Sequence, residues 1–190
     1  MPEPFAIRPL GPDTWEPYAE LIAADGGIWG SCWCLGFHPQ RNEVGGFEAR
    51  REAKRALVMA GEAKAALVFD GETCLGWAQY GRQAELPHIK NRRGYDAAPT
   101  PADWRFACHY TRKGARHRGV MRAAITGALD LIAAEGGGRV EAFPEEVAGR
   151  KVSGSFLWNG TLELYEALGF HRERKIGKHK WVVHREVAPA

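Results

Sequence analysis

Apolar positions along the chain change period several times, and each change marks an element. Phe5-Ala-Ile-Arg8 alternates as a short strand does. Gly11-Pro12-Asp13 then opens a helix, with Asp13 or Thr14 as its cap. Trp15, Tyr18, Leu21 and Ile22 recur at helical spacing, and Gly26-Gly27 stops the run. Residues 28–42 follow no period but carry Trp29, Trp33 and Phe37. Phe47 to Met59 is helical again, and its Arg50, Arg51, Lys54 and Arg55 read as a solvated face. Ala65 to Phe69 is a continuous apolar run, Asp70-Gly71 a hairpin turn, and Thr73 to Tyr80 the returning strand.

The second half is patterned more strongly. Arg82 to Asp103, with Pro87, Pro99 and Pro101, reads as a long loop of the kind that forms lids or binding loops. Trp104 to Thr111 reads as a strand. Val120 to Ala134 is the clearest helix: Val120, Ala124, Ile125, Ala128, Leu129 and Ile132 share one face, and Arg122, Thr126 and Asp130 lie on one polar line. Gly136-Gly-Gly138 breaks it before a strand over Arg139 to Phe143. A loop from Pro144 to Trp158 follows. Asn159 then caps a helix through Leu168, which Gly169 ends, and Phe170 to Lys175 and Lys180 to Val187 are the last strands. The order β-α-α-β-β-β-α-β-α-β-β over 190 residues predicts one α/β domain, residues 1–190, with a mixed sheet.

Composition narrows the class. With 45% hydrophobic and 26% charged residues the chain is globular, which excludes disorder, collagen and coiled coil. No run approaches the 18 or so apolar residues of a membrane span, and the first ten residues hold no signal core. Four cysteines, Cys32, Cys34, Cys74 and Cys108, are too few for a disulfide scaffold in a chain of this length. The expectation is a soluble cytoplasmic protein with reduced thiols and no membrane partner. A net charge of +3 is too small to announce a nucleic-acid partner, although residues 82–93 and 112–122 are locally basic. Cys32-Trp-Cys34, with His38 nearby, lacks the spacing and the second pair of a tetrahedral zinc site, so no metal is expected. An aromatic–thiol wall for a pocket fits these residues better.

Chemistry concentrates in Arg112 to Arg122, which carries Arg112, Lys113, Arg116, Arg118 and Arg122, one histidine and no acid. It lies between a strand and the strongest helix. Amides at a helix N-terminus lack intrahelical acceptors, and the helix dipole favours negative charge there. A glycine-containing turn lets those amides close around a phosphate or pyrophosphate, and Arg116 and Arg118 add charge-assisted bonds. No Gly-x-x-x-x-Gly-Lys-Ser/Thr and no Gly-x-Gly-x-x-Gly after a strand occurs, so neither a P-loop nucleotide nor NAD is the ligand.

The run Arg116-His-Arg-Gly119-Val-Met121 resembles the acetyl-CoA motif of the GNAT superfamily of N-acetyltransferases, Gln/Arg-x-x-Gly-x-Gly/Ala at a strand-to-helix turn. Leu162-Glu-Leu-Tyr165-Glu-Ala-Leu-Gly169-Phe170 is similar to that family's late Leu-Tyr-x-x-x-Gly-Phe segment. The element order agrees over nearly the whole chain. The resemblance implies a mostly antiparallel central sheet flanked by helices, and transfer of an acetyl group from acetyl-CoA to a primary amine of a small molecule or peptide, by direct attack in a ternary complex. It implies cofactor contacts from Tyr110, Thr111, Arg116, His117, Arg118, Gly119, Val120 and Met121. Met121 stands where the family has a small residue, which motivates the alternative of an acyl-CoA-binding module that has lost turnover. A nucleic-acid binder is a more distant alternative. Asn159 is read first as a helix cap and second as a cofactor contact.

The resemblance places Tyr165 as the general acid for the leaving thiolate; an ordinary phenol is protonated at neutral pH. Candidates for the base are Glu141 on its strand, His109 before the cradle, or a positioned water. Backbone N–H groups at the end of the Cys108–Thr111 strand are the expected oxyanion donors. The resemblance also assigns the acceptor to the region between the first two helices, where Trp29, Trp33 and Phe37 are the expected lining. The loop over 144–158 is a candidate for pairing across a homodimer.

Overall fold

A computed structural model describes residues 5–24 and 32–190; the Gly26-Gly27 stop and Trp29 lie outside the described residues. Seven strands form one sheet: β1 (Ala6–Pro9), β2 (Lys64–Asp70), β3 (Thr73–Arg82), β4 (Trp104–Thr111), β5 (Gly138–Ala142), β6 (His171–Lys175) and β7 (Trp181–Val187). Their order across the sheet is β1-β2-β3-β4-β5-β7-β6. Every neighbouring pair is antiparallel except β4–β5. The helices are α1 (Trp15–Ala24), α2 (Phe47–Met59), α3 (Arg92–Asp96), α4 (Val120–Ala134) and α5 (Leu162–Glu166).

Two cores lie on the two faces of this sheet, and strand alternation sorts residues between them. Ala66, Val68, Ala78 and Tyr80 pack with Val120, Ala124, Ile125 and Ala128 of α4. Their neighbours Ala65, Leu67, Phe69 and Trp77 pack with Trp15, Tyr18, Leu21 and Ile22 of α1 and Val58 of α2. This two-sided burial explains why β2 is a continuous apolar run rather than an alternating one. Helix α4 lies close across β1: a Cβ on Gly127 would stand 2.4 Å from Ile7 Cγ2.

Four local expectations are corrected. The 82–103 segment contains α3, entered through Asn91 in the left-handed region (φ 62°); five residues are too few to show a period. Helix α5 is capped by Thr161, whose Oγ1 accepts from Leu164 N at 3.4 Å, and not by Asn159. It ends at Glu166 rather than Leu168, with Gly169 in the left-handed conformation after it (φ 79°). Lys54 is buried rather than solvated, because it lies one turn from Val58 on the stripe of α2 that faces the core.

Candidate active site

Strands β4 and β5 pair only at Trp104↔Val140 and Arg105↔Glu141 and then part. The gap is bridged by residues 158 and 159. His109 N donates to Trp158 O at 2.7 Å, and Asn159 Nδ2 donates to the Ala107 carbonyl. On its other side β4 carries an extra residue: Ala78 pairs with His109 but Tyr80 with Phe106, a bulge opposite Gln79. Such a bulge re-aims side chains, and here Cys108, His109, Tyr110 and Thr111 all line one cleft. The cleft has a volume of about 970 Å³, at the upper end of ligand sites, which span roughly 300–1,000 Å³.

The basic turn forms one end of this cleft. Lys113, Arg116, His117, Gly119 and Arg122 line it, with Ser153, Gly154 and Ser155 on the opposite wall. Gly119 (φ 87°) and His117 (φ 63°) are both left-handed, so the chain doubles back immediately before α4. No side chain caps α4. The first intrahelical bond is Ala123 N to Gly119 O at 3.0 Å, so the amides of Val120, Met121 and Arg122 precede the ladder. This is the candidate anion cradle: unladdered amides, a helix dipole and the basic side chains of Lys113, Arg116 and Arg122 lie at one cleft.

Beyond the cradle the cleft runs along β4 to His109. The imidazole is buried, and Nδ1 lies 3.2 Å from Trp158 O. A carbonyl only accepts, so Nδ1 carries the hydrogen and Nε2 is left to accept. The Tyr165 hydroxyl donates to it at 2.9 Å. Burial lowers the His109 pKa to about 4 and raises that of Tyr165 well above its ordinary value, so both groups are neutral.

The far end of the cleft is lined by Ile22, Cys32, Trp33, Cys34, Trp77 and Cys108. Trp33 stacks on Trp15 with ring centroids 5.8 Å apart, and Trp77 meets Tyr110 at 5.0 Å. Trp33 (φ 47°) and Cys34 (φ 52°) are consecutive left-handed residues without being glycine, a costly backbone that the packing around it must hold. The four cysteines are free thiols.

The arrangement of strands and helices as a whole is shared with solved structures of acetyltransferases. The GNAT domain of S. lividans PAT superposes with a TM-score of 0.57 at 12% identity, covering 96% of this chain and 90% of that one. An N-acetyltransferase from Staphylococcus aureus superposes with a TM-score of 0.52 at 13% identity, over 98% of this chain and 99% of the other. Arabidopsis thaliana NAA60, in complex with acetyl-CoA, gives 0.51 at 15% identity, over 97% and 99%. The fold is that of the GNAT acetyltransferases. No protein-family model matches the sequence, and no curated protein does.

Of the candidate site residues, Tyr110, Thr111, Arg116, His117, Gly119, Val120, Met121 and Trp33 line the cleft. Several other residues do not. Arg118 turns to the β2–β3 hairpin, where Asp70 holds it at 2.9 Å. Asn159 is buried with both polar atoms in use, donating to Ala107 and accepting from Lys180 Nζ at 2.8 Å. Its role is to hold the splay open. Glu141 lies at the closed end of β4–β5, outside the cleft. It accepts from Arg105 Nε at 2.8 Å and from Tyr95 and Gln83, so its lone pairs are taken and it is a structural anion rather than a base at the cleft. Tyr165 is fully buried one layer behind His109, not on the wall. Phe37 stands outside the cleft lining but packs on Trp158, which lines it, at 5.4 Å.

Sequence reasoning missed Trp77 as lining. Trp77 reads as one more core aromatic on β3, and residues 152–155 reach the cleft only because the segment after β5 folds back across it. Cys108 carried a signal, since it sits on the strand leading into the cradle, but alternation alone points it at the core.

Proposed function

We propose that this chain is an acetyl-CoA-dependent N-acetyltransferase acting on a primary amine by direct attack. One observation carries the reading: the uncapped N-terminus of α4 with Arg116 and Arg122 opens into the same cleft as the bulged, splayed end of β4. One end of the cleft suits a pyrophosphate, and the other is walled by indoles and thiols. The fold supports the reading, because a GNAT neighbour of similar length, NAA60, is solved with acetyl-CoA.

Bound acetyl-CoA would supply an activated acyl group as a thioester. The chain's own residues do the rest. Amides of Val120, Met121 and Arg122 and the guanidiniums of Arg116 and Arg122 hold the pyrophosphate. Met121 is partly buried against the α4 core, and its backbone amide is among these donors. Its bulk in place of a small residue favours the second reading, a binding module without turnover. The bulge at Ala107–Cys108 aims backbone at the reacting carbonyl. His109 and Tyr165 brace that end of the cleft as a neutral pair, with Tyr165 acting through His109 rather than on the thiolate directly.

Calorimetric titration with acetyl-CoA, followed by a free-thiol release assay over a panel of amines, tests the proposal. The expected result is saturable binding with amine-dependent thiol release. Binding without release for every amine favours the module; no binding overturns both readings.

A further inference from the structure

Among the described residues, the half of the cleft beyond His109 is lined by thiols, indoles and aliphatic side chains. Among the described residues lining the whole cleft, none is Asp or Glu, and all the cationic ones stand at the cradle end. At the far end, thiols and indoles replace them. Cys34 N donates to Cys32 Sγ at 3.4 Å, and Cys108 lines the same cleft. Behind this wall lies Lys54, whose Nζ is 3.2 Å from His38 Nε2; Gln79 Nε2 also lies within hydrogen-bonding distance of that nitrogen, at 2.9 Å. Burial, then Lys54, lowers the His38 pKa to about 3, so the ring is neutral, and among the described lining residues no carboxylate stands beside the thiols.

From this wall we infer that the acceptor is a compact, apolar primary monoamine, aralkyl or alkyl, and that the pocket activates it by stripping water from its ammonium rather than by pairing it with a carboxylate. The inference rests on the acetyltransferase reading and names its substrate class. Burial in uncharged surroundings disfavours the charged form of an amine and lowers its pKa. The ammonium therefore loses one proton to water as it enters. The neutral nitrogen forms its bond to the thioester carbonyl carbon, the carbon–sulfur bond breaks, and the second N–H proton goes to the departing sulfur. No side-chain base is required, which fits Glu141 being bound to Arg105 and both ring nitrogens of His109 being in use.

The thiols stay protonated for a physical reason. Hydrogen bonds to Cys108 and burial push the Cys34 thiol up, and its bond to Cys34 and burial push Cys32 up, while burial pushes Lys54 down. Tyr18, packed against the same indoles, is also pushed up by burial. A second ammonium on the acceptor would have no partner here, and if Lys54 carries a proton it repels one. A polyamine is therefore a poor occupant, and a phenyl or alkyl body between Trp33, Trp77 and Ile22 is a good one.

The experiment uses the whole chain with acetyl-CoA. Binding of acetyl-CoA is measured first by calorimetry. Thiol release is then measured with 2-phenylethylamine, n-hexylamine and spermidine. The expected result is a kcat/KM for the two monoamines about a hundredfold or more above that for spermidine, a penalty in keeping with an unpaired buried charge. It should rise with pH about tenfold per unit, following the free-amine fraction, with no break from an enzyme group near neutrality. Cys108→Asp, which adds a carboxylate to the wall, should shift the preference toward spermidine about tenfold or more, whereas Cys108→Ser should leave the preference as it is. If the Asp variant fails to fold, the amine panel decides alone. Spermidine turned over as well as the monoamines, or turnover of no amine, with acetyl-CoA binding intact, overturns this inference and leaves the binding reading standing. Loss of acetyl-CoA binding itself overturns the underlying reading.

Discussion

The Tyr165 hydroxyl lies 2.9 Å from Nε2 of His109, and both side chains are buried. The phenol thus meets the cleft only through the imidazole. Phe106 and Phe170 flank the Tyr165 ring, with centroids 6.0 and 4.9 Å away, so its body is a core residue and its tip sets the histidine. Tyr165→Phe keeps the ring and removes one hydrogen bond. It should cost about 1–2 kcal/mol of stability by urea unfolding, because His109 Nε2 is left without its donor. It should also lower kcat about tenfold with acetyl-CoA affinity unchanged, the effect of about 1.4 kcal/mol in the transition state. An unchanged kcat would reduce Tyr165 to packing.

Arg116 and Arg118 are two residues apart but serve different ends. Arg116 lines the cleft, and Arg118 is held on the surface by Asp70. Arg116→Ala should weaken acetyl-CoA binding about tenfold or more, the worth of a charge-assisted bond of about 1.5–3 kcal/mol, and the loss should shrink as salt is added. Arg118→Ala should leave binding within about twofold, since an exposed pair is worth little. Equal losses in the two variants would mean that the cradle is not where the phosphates bind.

Glu141 and Arg105 form a buried pair with side chains only 2% and 4% exposed. Removing one partner leaves the other charge buried and alone, at a cost of about 3–5 kcal/mol. Glu141→Gln should therefore lower the denaturation midpoint strongly while the folded fraction keeps its kcat. A full fold with kcat lost would restore Glu141 as a base.

Lys54 is a buried amine facing thiols and a neutral imidazole. Lys54→Met has nearly the same shape and removes a desolvated polar group, so it should hold or raise stability, by about 1 kcal/mol. Gln79 still donates to His38 in that variant. Because burial lowers the Lys54 pKa, the unfolded chain binds its proton more tightly, and the wild-type protein should gain on the variant as pH rises toward the lysine's ordinary value. A loss of several kcal/mol in Lys54→Met would show that the amine is needed for folding.

Acid should unfold the protein through its buried histidines. Burial lowers the pKa of His109 to about 4 and that of His38 to about 3, from 6.5. Below 6.5 the unfolded chain takes up protons that the native chain refuses, so stability is complete above that value and falls as pH drops toward 4. The slope should approach about 1.4 kcal/mol per pH unit for each histidine. Urea midpoints from pH 7 to 4 give this slope, and His38→Gln should flatten it. A profile flat to pH 4 in the wild-type protein would contradict the burial of both rings.

Much of this was legible along the chain. Residues 47–59, 104–111 and 120–134 fold as the elements their periods predict, to the residue. Periodicity is a local property, and a helix or strand of eight residues or more repeats it often enough to be read. The cradle was legible for the same reason: its ingredients, a strand end, a basic glycine turn and a helix start, are neighbours in sequence. Lys54 was not legible, because a lysine on the inner stripe of α2 differs from one on the outer stripe only by what covers it.

The sequence by itself determined the element order, the apolar run of β2, and the placing of a basic, glycine-containing turn at the start of the strongest helix. Tertiary structure alone decided what the rest of the site is. It parted β4 from β5 through Asn159 and Trp158, bulged β4 so that Cys108 and His109 share the cleft wall, and set Glu141 against Arg105 at the closed end. It also brought Cys32, Cys34 and Cys108 together from segments some seventy residues apart, an order-of-magnitude span no local pattern can encode. Local propensity chooses an element, but which polar group finds a partner depends on pairings across the sheet, and those pairings separate the bound carboxylate of Glu141 from the cleft.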